Sequence, residues 1–168
     1  STSNGSASAG SDYTALSSKR VTFSGSAGEA ETVSIAINND SVVEGSETLN
    51  VKMSNASHTG VQIMDTATVT ISNDDSAAVT IADVSVSENA GSATLTLRLD
   101  RAVSGGFSVD VSTSNGSALA GSDYTALGSK RVTFSGSAGE AETVSIAINN
   151  DSNVEESETL NVRMSGVS

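Results

Sequence analysis

Residues 130–148 read Lys130-Arg131-Val132-Thr133-Phe134-Ser135-Gly136-Ser137-Ala138-Gly139-Glu140-Ala141-Glu142-Thr143-Val144-Ser145-Ile146-Ala147-Ile148, and this stretch decides the fold. Val132 and Phe134 alternate with polar residues before a glycine-containing turn, and Val144, Ile146 and Ile148 alternate after it. Apolar residues at period two put one side of an extended chain on a core and the other in water, the mark of half-buried β-strands. The same nineteen residues stand at 19–37.

Beyond these nineteen residues, all of 1–57 recurs as 112–168, shifted by 111 positions, with seven differences: Ser8/Leu119, Ser17/Gly128, Val42/Asn153, Gly45/Glu156, Lys52/Arg163, Asn55/Gly166 and Ala56/Val167. A period of this length is a domain rather than a solenoid turn, so the chain holds about one and a half copies of one module. Both ends are expected to cut through a repeat of a longer tandem array. The alternation continues in Val79, Ile81 and Val84 to Val86; in Leu95, Leu97, Leu99; in Phe107, Val109, Val111; and in Leu160, Val162, Met164. The first copy adds Val21, Phe23; Val33, Ile35, Ile37; and Leu49, Val51, Met53, followed by Ala67, Val69, Ile71. Turn clusters such as Asn38-Asn39-Asp40 and Ser104-Gly105-Gly106 separate these segments.

About seven short strands per repeat and no helical period predict an all-β, immunoglobulin-like antiparallel β-sandwich in tandem repeats of about 111 residues. A true antibody domain is excluded, because the chain has no Cys and no Trp. Proline is absent too, so Gly, Asn and charged residues must protect the sheet edges. The boundary is placed at Asn73-Asp74-Asp75-Ser76. Residues 1–76 then carry the later strands of an N-terminally truncated repeat, and 77–168 the earlier strands of a C-terminally truncated one. Sandwiches short of strands expose apolar faces and unpaired edges; completion is expected from neighbouring repeats in the same or another chain, by strand complementation.

The net charge is −12 and the calculated pI about 4.2. Such acidity repels nucleic acid and anionic membranes and favours cations. No apolar run reaches the roughly 18 residues of a membrane span, so no membrane insertion is expected in this fragment. Without cysteine there is no disulfide, and a metal is the usual substitute cross-link.

Acidic residues gather at four recurring places: Glu88 in Ser87-Glu88-Asn89; Asp12 or Asp123 in Gly-Ser-Asp-Tyr; Asp40, Glu44 and Glu47 or their copies Asp151, Glu155 and Glu158; and Asp74 with Asp75. All lie in turns or at strand ends. Two readings stand side by side: acids that solvate turns, and acids that share a bound cation. For the second, calcium fits as a hard ion taking six to eight oxygens, with magnesium as a choice that keeps more water. Zinc and copper do not fit, since His58 is the lone imidazole.

The chain resembles the Calx-β domain family. The resemblance rests on Val86-Ser87-Glu88-Asn89, on Gly116-Ser117-Ala118-Leu119-Ala120-Gly121-Ser122-Asp123-Tyr124, on Val132-Thr133-Phe134-Ser135, on Ile148-Asn149-Asn150-Asp151 running to Val154-Glu155-Glu156-Ser157-Glu158, and on Ala67 to Asp75 as closing strand and acidic tail. It implies calcium, held by Glu88, Asp123, Asp151, Glu155 and Glu158 in the second domain and by Asp12, Asp40, Glu44, Glu47, Asp74 and Asp75 in the first. Asn39, Asn150 and Asn73 stand where the family usually has Asp, which implies fewer or weaker ions per site.

Catalysis is not expected. His58 has no partner acid, no histidine lies in 112–168, and a Ser/His/Asp nucleophile is therefore absent. Paired carboxylates without aromatic platforms make a poor glycosidase; Tyr13 and Tyr124 more naturally brace the adjacent Asp loop. The expected role is a non-enzymatic, calcium-binding structural repeat of a long extracellular or cell-surface bacterial protein, an adhesin or filament, rigidified by calcium at domain ends and junctions. The alternatives are a calcium-responsive regulatory or ligand-binding domain and a strand-exchanged, self-assembling filament subunit.

Overall fold

A computed structural model describes residues 1–168. Its strands are β1 Thr2–Asn4, β2 Glu47–Lys52, β3 Thr66–Ile71, β4 Val79–Ile81, β5 Ser92–Leu99, β6 Phe107–Asn115, β7 Lys130–Phe134, β8 Ala141–Ala147 and β9 Leu160–Ser165. The helical content is a single 3-10 turn, Glu88–Ala90. Every ladder between strands is antiparallel. The chain divides into two units, Ser1–Asp40 with Glu44–Asp74, and Ser41–Val43 with Asp75–Ser168.

The second unit is an immunoglobulin-like antiparallel sandwich of two three-stranded sheets, β4-β5-β8 and β7-β6-β9. Alternation builds it directly. Leu97 and Leu99 of β5 and Val144 of β8 meet Val109 and Val111 of β6 and Val132 and Phe134 of β7 in one buried cluster. A second cluster joins Leu95, Ala118, Tyr124 and Ile146. Phe107 and Phe134, cross-strand partners in the β6–β7 ladder, stack with ring centroids 5.1 Å apart and add aromatic attraction to burial. On the outer faces, Thr94 pairs its hydroxyl with Ser145 at 2.9 Å and Ser108 with Thr133 at 3.0 Å.

The first unit holds one sheet, β1-β2-β3. Its core is Ala7, Tyr13 and Leu49, with Ile35, Val51, Val69 and Ile71 packed against them. Here β2 has a neighbour on each side, and Leu49 is fully buried; its twin Leu160, on β9 with β6 alone beside it, is only half-buried.

Three expected strands are not formed. Val21–Phe23 and Val33–Ile37 repeat the sequences of β7 and β8, yet they carry no ladder, apart from a single bridge of Ile37 to Tyr13. The cause is the missing neighbour. β7 is paired to β6 and β8 to β5, and the first unit has no strands in those two places. An extended segment whose amides find no partner in a sheet keeps them in water. Phe23 is accordingly 57% exposed where Phe134 is 1%, and Val33 is 42% where Val144 is 2%. Val84–Val86 is the third: the β4–β5 ladder stops at Ile81–Leu97, and the chain leaves the sheet with Val84 and Val86 exposed.

These twins form an internal control. Phe134→Ala should lower stability by about 3–5 kcal/mol through cavity formation, whereas Phe23→Ala should change it by less than about 1 kcal/mol. Urea unfolding of the two variants checks the difference.

Candidate metal centre

In both units the Gly-Ser-Asp-Tyr turn is built from local contacts that do not need the rest of the sandwich. The Tyr13 hydroxyl donates to Asn4 Oδ1 at 2.8 Å, and the Ala9 amide donates to the same oxygen at 3.0 Å. From the other side, Asn38 Nδ2 donates to the carbonyls of Gly10 and Ser11, at 3.2 and 2.9 Å, and the Asn38 amide donates to the Asp12 carbonyl at 3.0 Å. The second copy repeats the set: Tyr124 and Ala120 on Asn115 Oδ1 at 2.8 and 3.0 Å, and Asn149 Nδ2 on Gly121 and Ser122 at 3.3 and 2.8 Å. The buried tyrosine rings anchor the turn from below. One carboxylate oxygen of Asp12 accepts the Ser8 amide at 2.6 Å, and Asp123 accepts that of Leu119 at 2.6 Å. The aspartates are thereby aimed while each keeps a second oxygen for another partner.

The glutamates arrive at the entry to the strand that crosses this turn, Glu47 as the first residue of β2 and Glu158 two residues before β9, with Glu44 and Glu155 in the loops ahead of them. Ser6 Oγ accepts the Thr48 amide at 2.9 Å, and Ser117 Oγ accepts that of Thr159 at 2.8 Å, next to Glu47 and Glu158 respectively. Gly5 and Gly116 let the chains touch here. A Cβ on Gly116 would lie 2.4 Å from the Thr159 carbonyl oxygen, and one on Gly5 2.5 Å from that of Thr48. In the first unit, the Glu44 amide donates to Asn73 Oδ1 at 3.1 Å, so Asn73 holds the acidic loop in place. In the second, the Asp151 amide donates to Glu88 Oε1 at 3.0 Å, and Asn153 donates to both oxygens of Asp151 at 2.6 and 2.7 Å.

The result is three groups of converging carboxylates. One oxygen each from Asp12, Glu44 and Glu47 lies within 4.8 Å of the others; the same holds for Glu88, Asp151 and Glu155, and for Asp123, Glu155 and Glu158. Glu155 belongs to both groups of the second unit. Of the remaining expected ligands, Asp40 acts on Glu44 through its negative field but is outside the three-acid group. Asp74 also stands outside it, and Asp75 is ion-paired to Arg101 at 3.4 Å. The pinning residues Asn4, Asn38, Ser6 and their copies were not foreseen. Their one sequence signal is polar, turn-forming character beside the acids, shared by many other Asn and Ser residues of the chain.

Desolvation first, and then the charge of neighbouring carboxylates, raises the pKa of the glutamates. Desolvation, then the charges of Asp40 and Asp12, hold Glu44 above the ordinary carboxylate pKa. Desolvation, with a hydrogen bond to Asp12, raises Glu47. Glu155 is raised by desolvation and by Asp151, Asp123 and Glu88, and Glu158 by desolvation and Asp123. Glu140 is the counterexample. Its carboxylate accepts the amides of Ser135, Gly136 and Ser137 at 2.8, 2.9 and 3.1 Å, and these bonds, that of Ser135 first, lower its pKa. Glu29 does the same on Ser24, Gly25 and Ser26. These two acids each accept three backbone amides, whereas Glu44, Glu47, Glu155 and Glu158 have other carboxylates as their neighbours. An all-oxygen, all-anionic donor set of this kind suits a hard divalent cation, and calcium in particular, whose shell tolerates irregular geometry.

The fold and the site define a class of β-sandwich module with carboxylates converging on its loops. A Calx-beta domain model matches the chain twice, over residues 1–83 and 73–167, and the chain belongs to the Calx-beta domain family. Among solved structures it is similar to the apo-form Calx CBD1 domain, at 25% identity and TM-score 0.44, over 48% of this chain and 70% of that one. It is similar also to CBD12 from CALX1.2, at 22% identity and TM-score 0.43, over 79% of this chain and 53% of that one. No curated protein matches the chain. No helix is long and apolar enough to cross a membrane.

The pH response of the cation-free chain follows from these shifts. A carboxyl whose pKa is raised by folding contributes stability at low pH that is lost as pH rises through the raised value. For Glu29 and Glu140, whose pKa is lowered, the contribution is present at neutral pH and lost as pH falls through the lowered value. In chelator, the melting temperature should rise as pH is lowered from neutral toward the ordinary carboxylate range, then fall in stronger acid as Glu29 and Glu140 are protonated. With saturating calcium the first limb should reverse, because protons displace the ion. Calorimetric melts across pH, with and without chelator, check both signs.

Proposed function

We propose that this chain is a non-enzymatic, calcium-binding structural repeat of a long extracellular bacterial surface protein, an adhesin or filament, whose loop ends calcium makes rigid. The observation that carries the reading is the convergence of three carboxylates in each group, with Glu155 shared by two groups in the second unit. Shared carboxylates suit two neighbouring ions, because one carboxylate can give an oxygen to each. Without cations the glutamates are partly desolvated beside other carboxylates, and both effects, desolvation first, raise their pKa. With cations the Asp turn, the 3-10 turn at Glu88 and the acidic loop before β9 become one cross-linked end.

Two features support a structural rather than a signalling role. Near-identical copies, with seven differences in 57 residues, suit a spacer whose value is its length. The core is built from aliphatic residues with few aromatics and no disulfide, so stability drawn from a ligand is a large share of the total. Extracellular calcium modules bind with dissociation constants of roughly 10⁻⁴ to 10⁻³ M. Calcium at about 100 times the dissociation constant adds roughly 2.7 kcal/mol per site, or a rise of some 10–20 °C in melting temperature for a domain of this size.

The ligand assignment makes separable predictions for calorimetric titration. Glu155→Gln should weaken both ions of the second unit. Glu88→Gln should weaken one and Glu158→Gln the other, each by about tenfold or more. If chelator leaves the melting temperature of the unmodified chain unmoved, calcium is not its ligand.

A further inference from the structure

Asn-Gly occurs twice in the chain, at Asn4-Gly5 and Asn115-Gly116, the same place in both copies. In this dipeptide the asparagine is open to attack by the next amide, because glycine has no Cβ to shield its nitrogen. The structure requires both residue types. Position 115 needs a short side chain ending in an oxygen: Asn115 Oδ1 accepts the Tyr124 hydroxyl at 2.8 Å and the Ala120 amide at 3.0 Å. Position 116 needs the absence of a side chain, since a Cβ would lie 2.4 Å from the Thr159 carbonyl oxygen and 2.8 Å from Thr159 Oγ1. Asn4 carries the same two bonds, from Tyr13 and Ala9, and Gly5 meets the same squeeze against Thr48. Both residues of each pair are exposed, so solvent base reaches them.

We propose that Asn115, with its twin Asn4, is a site of self-modification to isoaspartate that the folded turn keeps closed and that opening of the turn releases. In the reaction the Gly116 amide gives up its proton to solvent base, and its nitrogen bonds to Asn115 Cγ. The side-chain nitrogen takes up a proton and leaves as ammonia. Water then opens the imide ring at one of its two carbonyls. Opening at Cγ leaves aspartate. Opening at the main-chain carbonyl leaves isoaspartate, in which the main chain runs through Cβ and Cγ and is one carbon longer. Water is the sole co-reactant.

Folding blocks the first step. Ring closure needs Asn115 to turn out of the extended backbone it has as the last residue of β6, where it pairs with Leu160. Three bonds resist that turn: the two on Oδ1, and one from Asn161 Nδ2 to the Asn115 carbonyl at 3.3 Å. In the first unit the attacking nitrogen is itself occupied, since the Gly5 amide donates to the Thr48 carbonyl at 3.2 Å. The two products then part ways. Aspartate at position 115 still offers an oxygen to Tyr124 and Ala120, so the turn closes again. Isoaspartate displaces Gly116 at a place where one added atom collides with Thr159, and it carries the acceptor away from Tyr124. A turn that opens for long enough is thus marked and cannot reclose, and the mark falls in the turn that aims Asp123.

The test ages the chain at mildly alkaline pH, once folded, as circular dichroism verifies, and once in urea. Peptide mass mapping with electron-transfer fragmentation follows aspartate and isoaspartate at position 115. Conversion should be at least about tenfold slower in the folded chain, because only its open fraction reacts. Tyr124→Phe and, at an exposed position, Asn161→Ala each remove one bond on Asn115; they should speed conversion in the folded chain severalfold and leave the rate in urea unchanged. After the urea is removed, size exclusion should find aspartate at position 115 among refolded chains and isoaspartate among expanded ones. No conversion in urea, equal rates in the folded and unfolded chain, a folded-state rate that neither substitution moves, or isoaspartate in chains that refold as well as those with aspartate would each overturn the proposal.

Discussion

Backbone amides and carbonyls taken out of water must be paired, and this requirement separates two copies of one sequence into two structures. Residues 130–148 are strands because β5 and β6 lie beside them, and residues 19–37 are not because nothing does. The side chains follow the backbone. Phe134 packs on Phe107 inside a sandwich, while Phe23, with the same neighbours in sequence, faces solvent. β-propensity here is a statement about fit to a neighbour rather than a property of the segment.

Set against that, the candidate metal centre depends on contacts close in sequence. The tyrosine, the two asparagines and the aspartate of the Asp turn make the same hydrogen bonds in both units, to within 0.1 Å, although one unit is a two-sheet sandwich and the other a single sheet. Only the outer acids register the difference: Glu44 and Glu47 are half-buried where Glu155 and Glu158 are exposed, since β3 stands beside β2 and no strand takes that place beside β9. The acid-bearing turn is thus a local device carried by the sheet, and the sheet decides how far water reaches it.

The same division explains what the amino-acid order revealed. Alternation at Leu95-Leu97-Leu99, Phe107-Val109-Val111 and Leu49-Val51 marked true strands with inward faces on the correct residues. It marked Val21–Phe23 and Val33–Ile37 in the same way, because period two reports which face is apolar and says nothing of whether a partner is present. Among the acids, Asp12 with Glu44 and Glu47, and their copies with Glu88, were legible from charge and turn position, and they do converge. Asp74 and Asp75 were read as ligands from the same signals, but they stand outside the three groups, since their position depends on the path of the chain after β3, and Asp75 meets Arg101. The Asn and Ser hydrogen bonds that aim the acids were hidden because those residues are common in every turn of this chain.

Occupation of the grouped carboxylates by cations is tested most directly by a crystal structure grown in millimolar calcium. The expected result is two calcium peaks in the second unit, bridged by the carboxylate of Glu155, with Glu88 and Asp151 on one ion and Asp123 and Glu158 on the other, and a peak among Asp12, Glu44 and Glu47. Carboxylates surrounded by water alone at saturating calcium would contradict it.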